Sequence, residues 1–296
     1  MTGHFPWSSC LRPRFFVRAG VIATTLLGVG WGALWAAERA APAQRITVET
    51  SAPRQLILRR EDFRPTLKNP SADAREFFFT RAIYSGGGYR RGWGSWATDY
   101  PKADRQFLAI IGRLIDLLDA YERENAVRLD DPDLRRFPFL YALEVGHMYM
   151  TEAEVKGLRD YLLAGGFLMI DDFWGTWEWA NFEAEIKRVL PEYQIVELSL
   201  DHPVFNTVYK IEEIIQVPNL GNAQWAERGG RTWEQDGVVP HVRGIFDEDG
   251  RLMVIINWNT DIGDAWEWAE HPYYPLKYST YAIEITVNII VYAMSH

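Results

Sequence analysis

One short stretch limits the possible fold of this 296-residue chain more than any other. Gly165 and Gly166 follow a helical pattern, an apolar run occupies 167–170, and Asp171 and Asp172 stand where that run ends. A glycine pair commonly ends a helix, and a short uninterrupted apolar run is typical of a strand that is buried on both faces. Such strands deliver polar residues to the carboxyl edge of a parallel sheet, where ligands bind. The stretch therefore predicts an α/β protein with a site at that edge.

The first 43 residues have the composition of a targeting segment and are set apart from the fold. Three arginines precede an uncharged, mostly apolar run at 19–37, and Ala41-Pro42-Ala43 offers a small-x-small cleavage site. We interpret residues 1–43 as a secretory signal peptide or as an uncleaved membrane anchor, since the run reaches the roughly 18 residues that a membrane span needs. Either interpretation predicts an exported, periplasmic or extracytoplasmic body whose N-terminus lies in or passes through the membrane.

Cysteine content and charge exclude several functions for that body. Cys10 is the only cysteine of the chain and lies in the N-terminal segment, so disulfides, thiolate catalysis and cysteine metal sites are excluded from the body. The N-terminal segment holds four of the 31 Lys and Arg residues and one of the 40 Asp and Glu residues, which leaves a net charge of −12. A body this acidic is not expected to bind nucleic acid non-specifically.

Residues 76–296 show the pattern of a single α/β domain, preceded by a lead-in segment at 44–75. Strand-like and helical patterns alternate in this part of the chain, which predicts right-handed crossovers and a largely parallel sheet. The predicted strands cover 76–84, 127–129, 139–145, 167–170, 193–198 and 211–217. The predicted helices cover about 99–121, a segment from the Thr151-Glu-Ala-Glu154 capping box to Gly165, about 177–190 and 281–294.

The C-terminal third contains a hairpin and a long polar segment. Residues 242–246 and 252–257 flank an Asp-Gly turn, which predicts an antiparallel hairpin. Residues 257–275 are predicted to form a long polar and aromatic loop, a length that is uncommon in compact domains without a functional reason.

Four separated motifs of this chain resemble those of one known family. They are Phe79-Thr-Arg81 with Tyr84, Trp96-x-x-Asp99-Tyr-Pro101, Tyr161-Leu162-x-x-Gly165-Gly-Phe-Leu-x-x-Asp171-Asp-Phe173, and Asn257-x-Asn259-x-Asp261-x-Gly263-Asp264-x-Trp266-Glu-Trp268. Together they resemble domain of unknown function family 4159, from roughly Glu76 to the C-terminus. The resemblance implies a flavodoxin-like three-layer sandwich, similar to the class I glutamine amidotransferases, with a mostly parallel sheet and an added antiparallel hairpin. It implies no known reaction, and the missing cysteine nucleophile excludes amidotransferase chemistry.

Asp171 and Asp172 are the strongest candidates for chemistry. Because adjacent residues of a strand point to opposite faces, at most one of them is expected to face a cleft. That carboxylate would act as a general acid or base, bind a hard cation or anchor ligand hydroxyls, whereas the structural alternative is a helix N-terminal cap. His147 follows the neighbouring strand. It has either a functional role, as a proton shuttle or a ligand, or a structural role as a hydrogen-bonded residue.

A glycine-rich turn follows the first core strand. Ser85, Gly86, Gly87 and Gly88 lack the Lys-Ser/Thr of a phosphate loop, so they are either a flexible turn or a place where backbone amides approach a ligand. Ser85, His147 and Asp171 are the residue types of a hydrolase triad, but no Gly-x-Ser-x-Gly elbow accompanies them. Arg81 lies inside an apolar strand and is expected to pair with a carboxylate.

The segment 257–268 combines flat aromatic rings with carboxylates and amides. This is the chemistry of carbohydrate recognition, and the alternative is a loop that its tryptophans hold against the core. No His, Asp and Glu residues here have the spacing of a zinc site, so we predict no metal and no cofactor. The predicted ligand-binding set is Arg81, Tyr84, Ser85, Gly86, Gly87, Gly88, Trp93, Asp99, Trp174, Asn257, Asn259, Asp261, Asp264, Trp266, Glu267 and Trp268.

Three hypotheses about function follow. The first is an exported, non-catalytic domain that binds a polar small molecule, a glycan or an envelope component at the carboxyl edge of the sheet. The second is a cysteine-free hydrolase that uses Asp171 or Asp172 as acid or base. The third is a protein-docking component of an envelope assembly, with exposed aromatic residues as the contact surface.

Overall fold

The computed structural model describes residues 75, 77–86, 95–115 and 119–296. The predicted signal peptide or anchor and nearly all of the lead-in segment lie outside these residues, as do Gly87, Gly88 and Trp93. Within the described part of the chain, no helix is both long enough and apolar enough to cross a membrane.

Seven strands form one sheet in the order β2-β1-β3-β4-β7-β6-β5. They are β1 (Thr80–Ile83), β2 (Asn125–Arg128), β3 (Phe139–Leu143), β4 (Phe167–Asp171), β5 (Ile195–Glu197), β6 (His241–Phe246) and β7 (Leu252–Trp258). Strands β2, β1, β3, β4 and β7 pair in parallel, and β6 is antiparallel to both of its neighbours. The prediction of a mostly parallel sheet with an added antiparallel hairpin is confirmed.

Helices cover both faces of this sheet. They are α1 (Lys102–Leu114), α2 (Glu152–Leu163), α3 (Gly175–Val189), α4 (Leu220–Ala226), α5 (Ile262–Glu267) and α6 (Leu276–Ser295). Buried side chains of α1, α4, α5 and α6 belong to one hydrophobic core, and those of α2 and α3 belong to a second core on the opposite face. The result is a three-layer α/β sandwich with a flavodoxin-like arrangement, as predicted.

Strand β4 lies at the centre of the sheet between β3 and β7. Phe167 and Met169 enter one core while Leu168 and Ile170 enter the other, which explains the continuous apolar run in the sequence. The preceding turn needs glycine twice: Gly165 has φ +104°, and a Cβ on Gly166 would lie 2.3 Å from the Tyr161 ring. The glycine pair is therefore part of the packing that places β4 and the two aspartates after it.

The structure corrects the predicted end of the first helix and the predicted loop at 257–275. The helix expected to continue to about residue 121 ends at Leu114, and the amide of Tyr121 donates to the carbonyl of Phe77, so the chain has already returned to the sheet. The segment 257–275 is not one long loop, because it contains the short helix α5. Its apolar residues Ile262, Ala265 and Trp266 follow the spacing of a buried helical face.

The segment 211–217 was expected to be a strand, and it forms none. Ile211 and Val217 are buried in the core that α1 and α6 form on one face of the sheet. The apolar residues of this segment are therefore explained by burial and not by pairing with a strand. The backbone amide of Val217 donates to the Thr260 hydroxyl, and the Val217 carbonyl accepts from the Asp261 amide. The segment thus packs beside the carboxyl edge of the sheet. The strand expected at 193–198 is β5, which pairs antiparallel with β6 at the sheet margin.

The predicted capping box begins α2. The amide of Glu154 donates to the Thr151 hydroxyl at 3.3 Å, and the Glu154 carboxylate accepts from the Thr151 amide at 2.8 Å. Glu154 also accepts from Ser85 and is fully buried, so the cap joins the start of α2 to the end of β1.

Removing this cap should destabilise the protein. We expect Thr151→Ala to lower the free energy of unfolding by about 1 kcal/mol, because an amide at the helix start loses its acceptor. Urea denaturation measures the difference. Thr280→Ala is the matched control, since Thr280 is exposed within α6 and should change stability by less than about 0.5 kcal/mol. Equal stability of the two variants would contradict the role of the cap.

Candidate functional site

The carboxyl edge of the sheet has an unusual backbone. Strands β3, β4 and β7 are each followed by a residue with left-handed φ, namely Glu144 (53°), Asp172 (47°) and Asn259 (61°). Their amides continue the hydrogen bonding beyond the strands, because Glu144 donates to the carbonyl of Asp172, Asp172 to that of Thr260, and Asn259 to that of Phe173. Left-handed non-glycine residues are uncommon and concentrate at functional sites. The turns after these three strands therefore have an uncommon backbone conformation that their mutual hydrogen bonds hold in place.

Three carboxylates meet at this edge and form what we call the acidic cluster: Asp99, Asp172 and Asp261. Each offers an oxygen that lies within 4.8 Å of the oxygens of the other two. Asp172 and Asp261 are only 6% and 4% exposed. Asp99 precedes α1 and has φ 59°, and Asp261 caps α5 by accepting from the amide of Asp264 at 2.8 Å. Three separate segments of the chain thus bring their carboxylates to one point.

A second group of carboxylates shares Asp99 with the acidic cluster. Asp99, Asp264 and Glu267 also place one oxygen each within 4.8 Å of the others. Asp264 accepts from the Leu220 amide and from the Trp268 indole, and Lys102 lies 3.4 Å from Glu267. The second group is therefore better compensated by neighbouring donors than the acidic cluster is.

Burial and mutual repulsion shift the titration of these groups. Burial raises the pKa of Asp99, Asp172 and Asp261 well above the usual value, and the nearest carboxylates add to the shift. The largest of these repulsive contributions come from Asp264 for Asp99, from Glu144 for Asp172 and from Asp172 for Asp261. The acidic cluster therefore holds its protons to a higher pH than solvent-exposed carboxyls do, and a positively charged or hydrogen-bond-donating ligand would relieve the repulsion.

Asp171 does not share this environment. Its Oδ2 accepts from the Tyr141 hydroxyl at 2.9 Å and from the Gly263 amide at 3.0 Å, and the side chain is fully buried. Burial raises its pKa to about 7, against the hydrogen bonds. Asp172, by contrast, accepts from the Trp174 indole at 3.1 Å and belongs to the acidic cluster. Both aspartates are buried: Asp171 holds the first turn of α5 through the Gly263 amide, whereas Asp172 belongs to the acidic cluster.

The two asparagines of the 257–268 segment hold backbone together. Asn257 donates to the carbonyl of Ile170, and Asn259 accepts from the amide of Gly175 while donating to the carbonyl of Val239. Trp266 is 0% exposed and stacks on Phe107 with ring centroids 4.4 Å apart, so it has no face available to a ligand. Trp268 is also occupied, because the Lys102 ammonium lies 3.2 Å from its ring centroid.

His147 lies on another side of the same edge. Its Nε2 is 3.5 Å from Glu178 and 3.9 Å from Glu144, and the hydrogen bond to Glu178 raises its pKa. Trp174 is buried, and its amide donates to the other oxygen of Glu178 at 2.6 Å. Glu178 was not predicted from the sequence, although its position in the first turn of α3 placed it after β4. It joins His147 to the loop that carries Asp172.

The remaining predicted residues belong to the supporting structure. Arg81 pairs with Asp104, as expected, and Tyr84 donates to the carbonyls of Leu143 and Glu144. Gly86 forms an isolated bridge with Met148. Ser85 donates to Glu154 rather than to His147, so the residue types of a hydrolase triad are not arranged as one.

The fold is that of the open α/β sandwiches, a class in which ligands bind at the carboxyl edge of the sheet, and this chain has a carboxylate cluster there. Within that class, the domain of unknown function DUF4159 matches residues 84–294 of this chain. The chain therefore belongs to the DUF4159 family. A comparison with curated proteins gives no match.

Proposed function

We propose that this chain is an exported, non-catalytic binding protein that takes a polar ligand at the carboxyl edge of its sheet. The single observation that carries the proposal is the acidic cluster, in which Asp99, Asp172 and Asp261 lie within 4.8 Å of one another. Like charges this close and this buried are costly for the folded chain, and proteins retain such arrangements chiefly where a ligand uses them.

The charge of the edge sets the chemistry of the ligand. Glu144 and Glu234 add to the acidic field at Asp172, whereas the buried Arg81 is already paired with Asp104. An anionic ligand would be repelled, so the ligand presents positive charge or several hydroxyl or amine donors. Amine-bearing or hydroxyl-rich glycans and envelope components have this chemistry, and so does a divalent cation.

A hydrolytic role is the second candidate because the pKa of Asp172 is raised, mainly by burial and then by Glu144, which suits a general acid. Asp261 offers an oxygen within 4.8 Å of an Asp172 oxygen, which is shorter than the ~5–5.5 Å separation of the two carboxyl groups in retaining glycosidases. Binding is favoured over hydrolysis because both side chains are almost fully buried and Asp171 is held by Tyr141 and Gly263. Release of product from a glycan bound at the edge would support the hydrolase instead.

The test is ligand binding by the full-length chain and by neutral variants of the cluster. The probes are Ca²⁺, Mn²⁺, a glucosamine tetramer and its N-acetylated counterpart, followed by thermal shift and calorimetric titration. We expect at least one probe to raise the melting temperature, and Asp261→Asn to weaken its binding about tenfold or more, since a charged partner is lost.

Asp160→Asn is the matched control, because Asp160 is exposed on α2 and pairs with Lys156 away from the edge. It should bind the probes as the unmodified chain does. Equal binding by Asp261→Asn and Asp160→Asn would contradict the proposal, and so would the absence of any response to the four probes.

A further inference from the structure

A groove with a volume of about 520 Å³ lies between α4 and the segment 272–275. This volume falls in the range of small-molecule sites, about 300–1,000 Å³. The lining residues are Ala223, Gln224, Trp225, Glu227, Arg228, Pro272, Tyr273, Tyr274 and Pro275. None of them was predicted to bind a ligand, and none belongs to the acidic cluster.

Two exposed aromatic rings line this groove. Trp225 is 60% exposed and Tyr273 is 71% exposed, which leaves most of each side chain accessible to solvent. Large aromatic side chains that line a groove are seldom left this exposed without a role, since burying them is favourable. The two rings provide the flat apolar surface that was expected at Trp266 and Trp268, whose faces are occupied.

The backbone beneath both rings is well fixed. The Gly230 amide donates to the carbonyl of Trp225 at 2.9 Å, and a Cβ on Gly230 would lie only 2.8 Å from the Trp225 Cβ. The Tyr274 hydroxyl donates to the carbonyl of Pro218 at 2.8 Å, which ties the segment 272–275 to the start of α4. Tyr274 and Ala223 are buried, so the groove has a packed interior side and two exposed aromatic residues. The site is therefore formed before a ligand arrives.

The polar lining of the groove is mixed and electrically balanced. Gln224, Glu227 and Arg228 supply an amide, a carboxylate and a guanidinium, and the Arg228 guanidinium lies 5.6 Å from the centroid of the Trp225 ring. The formal charges of Glu227 and Arg228 cancel, in contrast to the strongly acidic edge. The groove thus favours a ligand without net charge that carries both donors and acceptors.

We propose that this groove binds a short neutral saccharide. The C–H face of a sugar ring packs against an aromatic ring, and the hydroxyls at the ring edge can both donate to Glu227 and accept from Arg228. The inference is independent of the ligand at the acidic cluster, because no residue of that cluster lines the groove.

The experiment is a screen of the full-length chain against an array of neutral oligosaccharides, with a proline-rich decapeptide as the competing class of ligand. Hits are titrated by calorimetry and by tryptophan fluorescence. We expect at least one neutral saccharide to bind, and Trp225→Ala and Tyr273→Ala each to weaken binding by about tenfold or more.

Tyr149→Ala is the matched control, because Tyr149 is 57% exposed and does not line the groove. It should leave saccharide binding unchanged, and Trp225→Phe should restore much of the affinity lost in Trp225→Ala. Circular dichroism confirms that each variant is folded. Three results would overturn the proposal: no saccharide binds, the peptide binds in place of every saccharide, or binding is equal in Trp225→Ala and Tyr149→Ala. Trp225→Ala should bind Ca²⁺ and Mn²⁺, the ionic probes of the acidic cluster, as the unmodified chain does, which separates loss of saccharide binding from failure of the proposed function.

Discussion

Replacing Arg81 by methionine is expected to lower the free energy of unfolding by about 3–5 kcal/mol, the cost of leaving a buried charge without its partner. Arg81 and Asp104 are both almost completely buried, and two guanidinium nitrogens lie 3.2 and 2.7 Å from the Asp104 carboxylate. The third nitrogen donates to the carbonyls of Trp96 and Thr98. Methionine retains much of the volume but none of these four hydrogen bonds, so β1 loses its connection to the segment that carries Asp99.

Denaturation at two pH values isolates the electrostatic part of this loss. Burial raises the pKa of Asp104 even though Arg81 opposes that shift, so without Arg81 the carboxyl will protonate more readily. The Arg81→Met variant should therefore recover part of its stability as the pH falls. Arg81→Met combined with Asp104→Leu should be more stable than Arg81→Met alone, because no buried charge remains.

A neighbouring arginine provides the control for burial. Arg105 forms an ion pair with Glu124 at 2.5 Å but is largely exposed, so Arg105→Met should cost no more than about 1 kcal/mol. If Arg81→Met and Arg105→Met had the same effect, the buried pair would not contribute as its geometry indicates.

The parts of the fold that the sequence predicted are those with a local pattern. The apolar run of β4, the Asp-Gly hairpin of β6 and β7 and the Thr151 capping box each have a signature within a few residues, and each is present. Where the local pattern and the tertiary contacts favoured different structures, the tertiary contacts determined the conformation. Residues 211–217 have the apolar content of a strand, but β7 is already paired on both sides, so this segment packs on the core instead.

The buried position of Trp266 follows from a helical spacing that is present in the sequence. Its neighbours Asp261 and Asp264 suggested a polar binding loop, but Ile262, Ala265 and Trp266 have the i, i+3, i+4 spacing of a short buried helix. The N-cap at Asp261 begins that helix. The spacing was visible in the sequence, and it turns the tryptophan toward Phe107 rather than toward a ligand.

The acidic cluster had no comparable local signal. Asp99, Asp172 and Asp261 are separated by more than 70 residues in each interval, and their closeness depends on the order β1-β3-β4-β7 in the sheet. The sequence predicted each residue as a candidate and the edge where they meet. It did not predict that three carboxylates would lie within 4.8 Å, because that distance depends on the backbone turns after the strands.

The stability of this protein is expected to fall as the pH rises from about 4 to above 7, and Asp172→Asn should reduce that fall. Each carboxyl of the acidic cluster has a pKa in the folded chain above the usual 3.8, so the folded state holds protons that the unfolded state has released. Stability from such groups is complete below the unfolded pKa and is lost as the pH rises through the folded pKa. Part of this loss of stability occurs below neutral pH, because the pKa values of Asp171 and Asp264 are about 7.

The expected size of the effect is large. A single carboxyl with a pKa of about 7 when folded and 3.8 when unfolded loses on the order of 4 kcal/mol of stabilisation across that interval. Asparagine has the shape of aspartate without the charge and can still accept from the Trp174 indole. We therefore expect Asp172→Asn to be more stable than the unmodified chain by about 1–3 kcal/mol at pH 8 and nearly equal to it at pH 4.5.

Urea denaturation from pH 4.5 to 8 measures this difference, with Asp160→Asn as the control. Asp160 is exposed and Lys156 lowers its pKa, so it titrates below the interval and its removal should leave the slope unchanged. A stability that rises between pH 5 and 8, or an Asp172→Asn variant with the same slope as Asp160→Asn, would show that the acidic cluster does not bear uncompensated charge.

The Asp172→Asn variant also tests whether the acidic cluster binds a ligand. If a cationic or donor-rich ligand neutralises the cluster, it should stabilise the unmodified chain most at pH 8, where the carboxylates repel one another most strongly, and should stabilise Asp172→Asn less. A residue that weakens the free protein and strengthens the complex is retained for binding rather than for folding. Greater stability of Asp172→Asn together with weaker ligand binding would establish that the acidic cluster is a binding site, whereas greater stability with unchanged binding would place the ligand elsewhere.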